Sequence, residues 1–342
     1  MEYKLDIETK FEVDVFVAGG GPAGVAAAVS CARCGKTVFI AEKSGCFGGM
    51  GTLGLVPEMM NFDNGKDFLA NGIGREIRDG LFGKCPNDRR TYIVKVEEVK
   101  KFYDDMILKS GAEFRFFTSL VDVISEDGVV KAAVLHSKSG FYAVEAKVFI
   151  DCTGDGDLCV MAGAEYELGG ESGVTMPATL CSMWGGINFD KRFGGDPYRL
   201  DEAIDDGVFS QSDKLLPGIF PIFRDAGVGG ENVGHCFGVD ATDEKDLTDA
   251  MILGRKIIRE YEYYYKNYLK GYENAVLCGT ANVLGVRESR RIIGDYRLCL
   301  EDYMNRAEFE DEIGRYSYPI DIHIESPDEK SAKKFAELNS IR

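Results

Sequence analysis

The segment Gly19-Gly20-Gly21-Pro22-Ala23-Gly24 constrains this chain more than any other. It lies between a β-branched and aromatic run at 13–18 and an apolar stretch at 22–34 whose first residue is proline, in the order strand, turn, helix. Gly19 permits the sharp turn, Gly21 lets the backbone approach a pyrophosphate, and Gly24 lets the helix pack close to the sheet. The helix N-terminus, opened by Pro22 and Ala23, supplies the partial positive charge that phosphates need. Gly35 stops the helix, and residues 37–41 form a second parallel strand. Glu42 ends that strand about 20 residues beyond the turn, where a carboxylate accepts hydrogen bonds from a ribose diol. The full context of a dinucleotide-binding βαβ unit is present.

At 342 residues the chain is long for one domain and short for three, which predicts two. Its 41 glycines are about one residue in eight, an excess that suits tight turns and close backbone approaches. The formal charge of −17 repels phosphate backbones and anionic membranes, so nucleic acid and membrane partners are not expected. An uncharged run at 15–32 is interrupted by the glycine turn and preceded by Glu12 and Asp14, so it reads as buried strand and helix, not as an export segment. Most of the ten cysteines sit among apolar residues, as in a reduced, cytoplasmic protein.

Further along, apolar residues recur with helical spacing over 95–109, and Gly111 closes that helix. A strand at 114–117 follows, and then 120–124, 129–136 and 141–146, joined by turns at Gly128 and Gly140, form a β-meander. Residues 147–150 read as a further buried strand that leads into Thr153-Gly154-Asp155-Gly156-Asp157. Residues 44–54 look too rich in glycine for regular structure. From 164 to 240 glycine, proline and single aromatics predominate, as in a β-rich cap, and 246–270 is a long helix stopped by Gly271. The expected domains are 10–163 for nucleotide binding, 164–284 for the cap, and 285–342 as a return segment. The fold class is α/β, a Rossmann-like FAD/NAD(P)-binding domain with a β-meander and an inserted mixed, β-rich cap domain.

The glycine fingerprint suits NAD or FAD. Gly48-Gly49-Met50-Gly51-Thr52, directly after Glu42, offers flexible backbone where an isoalloxazine would extend, and the meander is the layout of two-dinucleotide-type flavoproteins. Here the chain resembles the large FAD-dependent oxidoreductase family of the glutathione-reductase-like fold, and most of all the group related to the heterodisulfide reductase flavoprotein subunit and to fumarate-reductase-like flavoproteins. The likeness is carried by residues 146–157, by Thr175-Met176-Pro177-Ala178-Thr179-Leu180, by 285–296 (Gly-Val-Arg-Glu-Ser-Arg-Arg-Ile-Ile-Gly-Asp-Tyr), and by Tyr318-Pro319-Ile320-Asp321-Ile322-His323. It implies FAD as cofactor, held by Gly19, Gly21, Pro22, Ala23, Gly24, Glu42, Lys43, Gly49, Met50, Thr52, Val121, Thr153, Gly154 and Asp155. Such proteins normally continue with another strand, a turn and a Gly/Ala-rich helix facing the flavin. None is found before Arg342, so an incomplete flavin site or a fragment is expected.

Arg287, Arg290 and Arg291 with Glu288 concentrate positive charge in an acidic chain. They read either as an anion site for a substrate carboxylate or for negative charge developing on the flavin, or as an ion-pair network between domains. On a helix, Arg287 and Arg291 would share a face. Asp151, Asp155 and Asp157 lack the spacing of a Ca²⁺ loop and suit capping or cofactor contact, so no metal is expected. Cys31-Ala32-Arg33-Cys34 closes a helix where a redox pair would open one, and Cys46 is the better thiol candidate. No ferredoxin-type cysteine run is present, and an iron–sulfur association rests on analogy alone. Of the three histidines, His136 reads as a surface strand residue. His235 in its Gly-rich loop is a candidate acid or base, and His323 is a candidate partner of Asp321. The tyrosines of the long helix read as packing.

These residues predict an oxidoreductase passing hydride between a small substrate and FAD, with Arg287, Arg291 and His235 as catalytic candidates. Two alternatives stand beside it: an electron-transfer subunit serving a redox protein partner, and a truncated flavin-binding module without turnover. Neither the substrate nor the oligomeric state is legible.

Overall fold

The computed structural model describes residues 4–83, 91–170, 173–191, 198–211, 213, 218–315, 317–318 and 320–327. Pro319 of the Tyr-Pro-Ile-Asp-Ile-His run and most of the charged stretch 326–342 fall outside them.

The chain opens with β1 (Thr9–Ala18), α1 (Pro22–Arg33) and β2 (Val38–Ala41). It continues through β3 (Glu58–Met60), α2 (Ile73–Phe82), β4 (Thr91–Ile93) and α3 (Val96–Ser110) to β5 (Glu113–Arg115). The meander strands are β6 (Ser119–Glu126), β7 (Val129–Ser137) and β8 (Gly140–Asp151), followed by the short helix α4 (Asp157–Met161). One six-stranded sheet has the order β5-β2-β1-β8-β7-β6. Its β5, β2, β1 and β8 run parallel, and β7 and β6 return antiparallel.

Both faces of β1 are buried, which is why its sequence shows no alternation. Val15 and Val17 pack with Val38 and Ile40 against α1 and α3, while Phe16 and Phe39 pack on the other side against Ala133, Leu135 and Val144. Residues 141–146 and 147–150, expected as two strands, are one. β8 pairs with β7 along its first part and with β1 along most of its length, because nothing in Ala146-Lys147-Val148 breaks extended backbone.

The second layer contains β9 (Tyr166–Leu168), β10 (Ala178–Thr179), β11 (Ser182–Gly185), α5 (Leu200–Asp205), β12 (Phe220–Phe223), β13 (Val228–Glu231) and β14 (His235–Cys236). α6 (Glu244–Tyr268), β15 (Val276–Thr280), β16 (Arg290–Ile292) and α7 (Leu300–Asn305) complete it. An antiparallel sheet of order β12-β13-β11-β15 presents Trp184 to α6, whose Ala250, Ile257, Ile258, Tyr261, Tyr264 and Tyr265 fill the cap core with Leu180, Ile187 and Phe189. The buried tyrosines of α6 are therefore packing, while Tyr263 is exposed. The helix begins at Glu244 because the Asp243 side chain accepts the N–H groups of Lys245 and Asp246. No described helix is long and apolar enough to cross a membrane.

Arg290–Ile292 is β16, paired antiparallel with β9, so the face that Arg287 and Arg291 would share on a helix does not form. One further expectation gives way: the 44–54 segment is not loose, since Gly49–Gly51 forms a 3₁₀ turn fastened by Thr52.

Candidate functional site

The glycine turn between β1 and α1 is shaped by contacts that no side chain would fit. Gly19 has φ +96°, and a Cβ there would lie 2.4 Å from the carbonyl oxygen of Cys152. A Cβ on Gly24 would lie 1.9 Å from the carbonyl oxygen of Gly19, so this residue sets how close α1 comes to the turn. Gly21 differs: a Cβ there would meet nothing within 4 Å. Gly21 is the N-cap of α1, no side chain caps that end, and no acidic residue stands in its first turn. The positive helix end beside Pro22 and Ala23 is thus left unneutralised next to open space, as a pyrophosphate requires.

Glu42 is buried at the end of β2, and both of its carboxylate oxygens accept backbone N–H groups, from Gly20 at 2.7 Å and from Ser44 at 2.7 Å. The following loop folds back over the turn: the Gly48 N–H donates to the Gly20 carbonyl at 2.9 Å, and Gly49 approaches Gly21. Thr52 donates its hydroxyl to the Phe47 carbonyl at 2.8 Å, which makes it the buried fastener of this loop. Lys43 and Met50 are exposed beside it. Cys46 is half-buried, with its Sγ 3.8 Å from Thr52 Oγ1. Val121 is the extra residue of a β-bulge in β6, skipped by the register between Leu120 and Asp122, and so is exposed with no residue of β7 opposite it.

In the turn after β8, Asp151 Oδ1 accepts the N–H and hydroxyl of Thr153, and its Oδ2 accepts the N–H of Cys159. Burial pushes the Asp151 carboxyl up, but these donors outweigh it and hold it below the ordinary value. Gly154 turns with φ +92°. Asp155 accepts the Ser289 hydroxyl at 2.5 Å, and Asp157 pairs with Arg290 at 2.7 Å. All three carboxylates are occupied in holding the turn and tying the return segment to the nucleotide domain.

The arginines separate by role. Arg290 is that tether. Arg291 is 40% exposed and bonded to Glu288 and the Gly169 carbonyl. Arg287 lies inside, its Nη2 reaching Thr179 Oγ1 at 3.4 Å and Asn232 Oδ1 at 3.3 Å, while its buried Nε has no hydrogen-bond partner among the described residues. Burial lowers its pKa, opposed chiefly by the charge of Asp321.

Beside Arg287 the structure joins groups that are far apart in sequence. His235 Nε2 is 3.0 Å from His323 Nδ1, and both rings are buried. His235 Nδ1 stands 3.1 Å from Asp213 Oδ2, close enough for an ion pair but out of line for a hydrogen bond, and that oxygen accepts the His235 backbone N–H at 3.0 Å. His323 Nε2 is 3.5 Å from Asp321 Oδ1, and Tyr318 donates to Asp321 Oδ2 at 3.2 Å. The expected His323–Asp321 pairing is present. Asp213 and Asn232 carry no local signal, and Thr179 and Tyr318, though inside segments that carry the family likeness, have nothing in their spacing that marks them as site residues.

A cleft of about 200 Å³ opens where the cap meets the 52–55 segment. Leu53, Leu55, Val96, Met183, Ile222 and Phe223 give it apolar walls, Thr52, Thr280 and Asn282 supply neutral polar groups, and Lys95, Glu97, Glu98 and Lys100 bring charges to its lining. The Asn282 N–H donates to the Leu53 carbonyl at 3.0 Å, so the cap strand and the loop beyond Thr52 are joined at this seam.

An open helix end, a fixed carboxylate after β2 and a meander feeding β8 define a Rossmann-type flavoprotein, and these residues fit the diphosphate and ribose of FAD. The chain belongs to the FAD dependent oxidoreductase family, whose model matches residues 14–339. FAD is its cofactor. The thiamine thiazole synthase of Methanococcus aeolicus is 27% identical over 255 residues, covering 70% of this chain and 86% of that one. The Pyrococcus horikoshii protein of the same name is 27% identical over 185 residues, 50% of this chain and 71% of that one. Two solved structures share the fold. A geranylgeranyl bacteriochlorophyll reductase-like protein from Thermoplasma acidophilum has a TM-score of 0.51 at 17% identity, covering 80% of this chain and 66% of that one. This chain thus spans just under two thirds of that structure. A p-nitrophenol 4-monooxygenase from Pseudomonas putida has a TM-score of 0.50 at 13% identity, covering 84% and 71%.

Proposed function

We propose that this oxidoreductase exchanges a hydride with a small organic substrate at the seam between the cap sheet and the 48–55 segment. One observation carries the reading: the loop clamped over the glycine turn at Gly48 and Gly49 runs on, through Leu53 and Leu55, into the apolar cleft roofed by Met183 and Ile222. Gly21, the α1 N-terminus, Glu42 and the Val121 bulge are the groups suited to hold FAD, with Thr153, Gly154 and Asp155 shaping the turn beside them. Bound FAD supplies the two-electron chemistry. The apolar residues of the cleft orient the substrate. Arg287, whose buried Nε has no partner among the described residues, is the candidate for stabilising negative charge and His235 the candidate acid or base, although neither lines the cleft itself. Arg291, already bonded to Glu288, is the weaker of the two arginine candidates.

The test is anaerobic reduction of the FAD-loaded protein by a panel of small alcohols, amines and acids, followed by absorbance. Bleaching by one class of compound supports the reading. Bleaching by none, with reduction by a ferredoxin-like protein alone, would show an electron-transfer subunit instead. The kinship with thiamine thiazole synthases makes thiazole formation the second activity to assay.

A further inference from the structure

We propose that Phe117 is the base-stacking residue of the cofactor site, its ring lying against the adenine of FAD, with Gly45 as the gap that admits the ring. This role rests on the assignment of Glu42 to the ribose of FAD.

Phe117 stands against two ordinary preferences of a polypeptide. It is 69% exposed, the most exposed phenylalanine among the described residues. Its backbone is left-handed, with φ +51°, a conformation that glycine or asparagine adopts at less cost than an aromatic residue. The backbone itself is held: the Phe117 N–H donates to the Ser44 carbonyl and the Thr118 N–H to the Glu42 carbonyl, both at 3.0 Å. These bonds account for the turn, but not for a large apolar side chain placed on it. Phe114 and Phe116, just before it, pack against Phe47. Phe117 has no ring or cation against it among the described residues. A side chain that burial does not retain and the backbone disfavours is accounted for by a ligand that covers it.

The place of the ring identifies the group it takes. The same two hydrogen bonds fasten Phe117 to the loop that begins at Glu42. Each Glu42 oxygen accepts one N–H and keeps a lone pair for a ribose hydroxyl. In FAD the adenine is bonded directly to that ribose, so it lies beside this loop, where Lys43, Gly45 and Phe117 are exposed. Of these, only Phe117 offers a flat apolar face, the surface on which a purine stacks. The ring meets the protein by its tip. A Cβ built on Gly45 would lie 2.7 Å from Phe117 Cζ, 3.1 Å from Cε1 and 3.6 Å from Cε2. The tip thus fills the place of the missing side chain, and the faces of the ring are left open.

Titration of the full chain with FAD, ADP and FMN tests the role, because ADP carries the adenine and FMN lacks it. Phe117→Ala is expected to weaken FAD and ADP alike, about tenfold, with FMN changed less than about twofold. Phe117→Tyr keeps a stacking face and is expected to bind FAD and ADP within about twofold of the wild type. Gly45→Ala, which pushes the tip aside, is expected to lose about threefold for the same two ligands. Thermal melts of the ligand-free variants are expected to match the wild type, since the ring is exposed. If Phe117→Ala binds FAD as the wild type does, or loses FMN equally, the stacking role is overturned. A Phe117→Tyr chain as weak as Phe117→Ala overturns it too. A wild-type chain that binds neither FAD nor ADP overturns the Glu42 assignment, and the stacking role with it.

Discussion

Gly21 and Gly24 belong to one fingerprint yet answer to different physics. A methyl group at Gly21 meets no protein atom, so Gly21→Ala is expected to fold with an unchanged melting temperature while weakening FAD binding roughly tenfold, about 1.4 kcal/mol. Absorbance titration beside a thermal melt separates the two effects. Gly24→Ala forces a methyl group onto the backbone oxygen of Gly19 and is expected to cost about 1–3 kcal/mol of stability in the same melt. Glu231 gives a second test. Buried among Ser182, Trp184 and Tyr265, all donating to it, its carboxyl is still pushed by burial from 4.5 to about 7. The folded chain keeps a proton that the unfolded chain releases. Its stabilising contribution is therefore full below pH 4.5 and is lost as pH rises toward 7. Glu231→Gln is expected to remove this component from the pH dependence of the melting temperature. At this scale the sequence announced the glycines and Glu42, whose spacing is local. It gave no sign of Asp213 beside His235 or of Tyr318 beside Asp321, because those neighbours are set by how the cap closes on itself.

At the scale of elements, helices were legible where apolar spacing and a cap coincide. α3 ends at Gly111 in left-handed backbone, as its sequence suggests. α6 starts at Asp243 because a carboxylate there satisfies two N–H groups that have no partner inside the helix. Asp243→Ala is expected to destabilise the cap by about 1 kcal/mol, and Asp243→Asn by much less, in denaturant unfolding followed by tryptophan fluorescence. Trp184, the only tryptophan, lies in the core this helix covers. The 287–291 segment left its secondary structure open for the complementary reason. Its arginines fit a helical face in isolation, but β9 offers Glu167 and Leu168 as strand partners, and Asp155 and Asp157 capture Ser289 and Arg290. Pairing partners more than 100 residues away leave no periodic trace in the segment they recruit.

At the scale of the molecule, the residues proposed to hold FAD come from three separate segments, 19–24, 42–52 and 151–155. Ligand that binds only the folded chain stabilises it by mass action. FAD at about one hundred times its Kd is expected to add about 2.7 kcal/mol, raising the melting temperature, while NAD at the same concentration is expected to add little. Equal shifts from both would count against FAD as the dinucleotide this turn is built for.

The uninterrupted course of β8 sets a limit on how that cofactor can enter. The same twelve residues finish the meander and lie against β1, ending at the turn beside the glycines. β7 holds its residues 140–145 and β1 its residues 143–151, so the Asp151 turn keeps a fixed place beside the glycines. An opening that admits a molecule as long as FAD is then expected on the cap side, with this edge standing still.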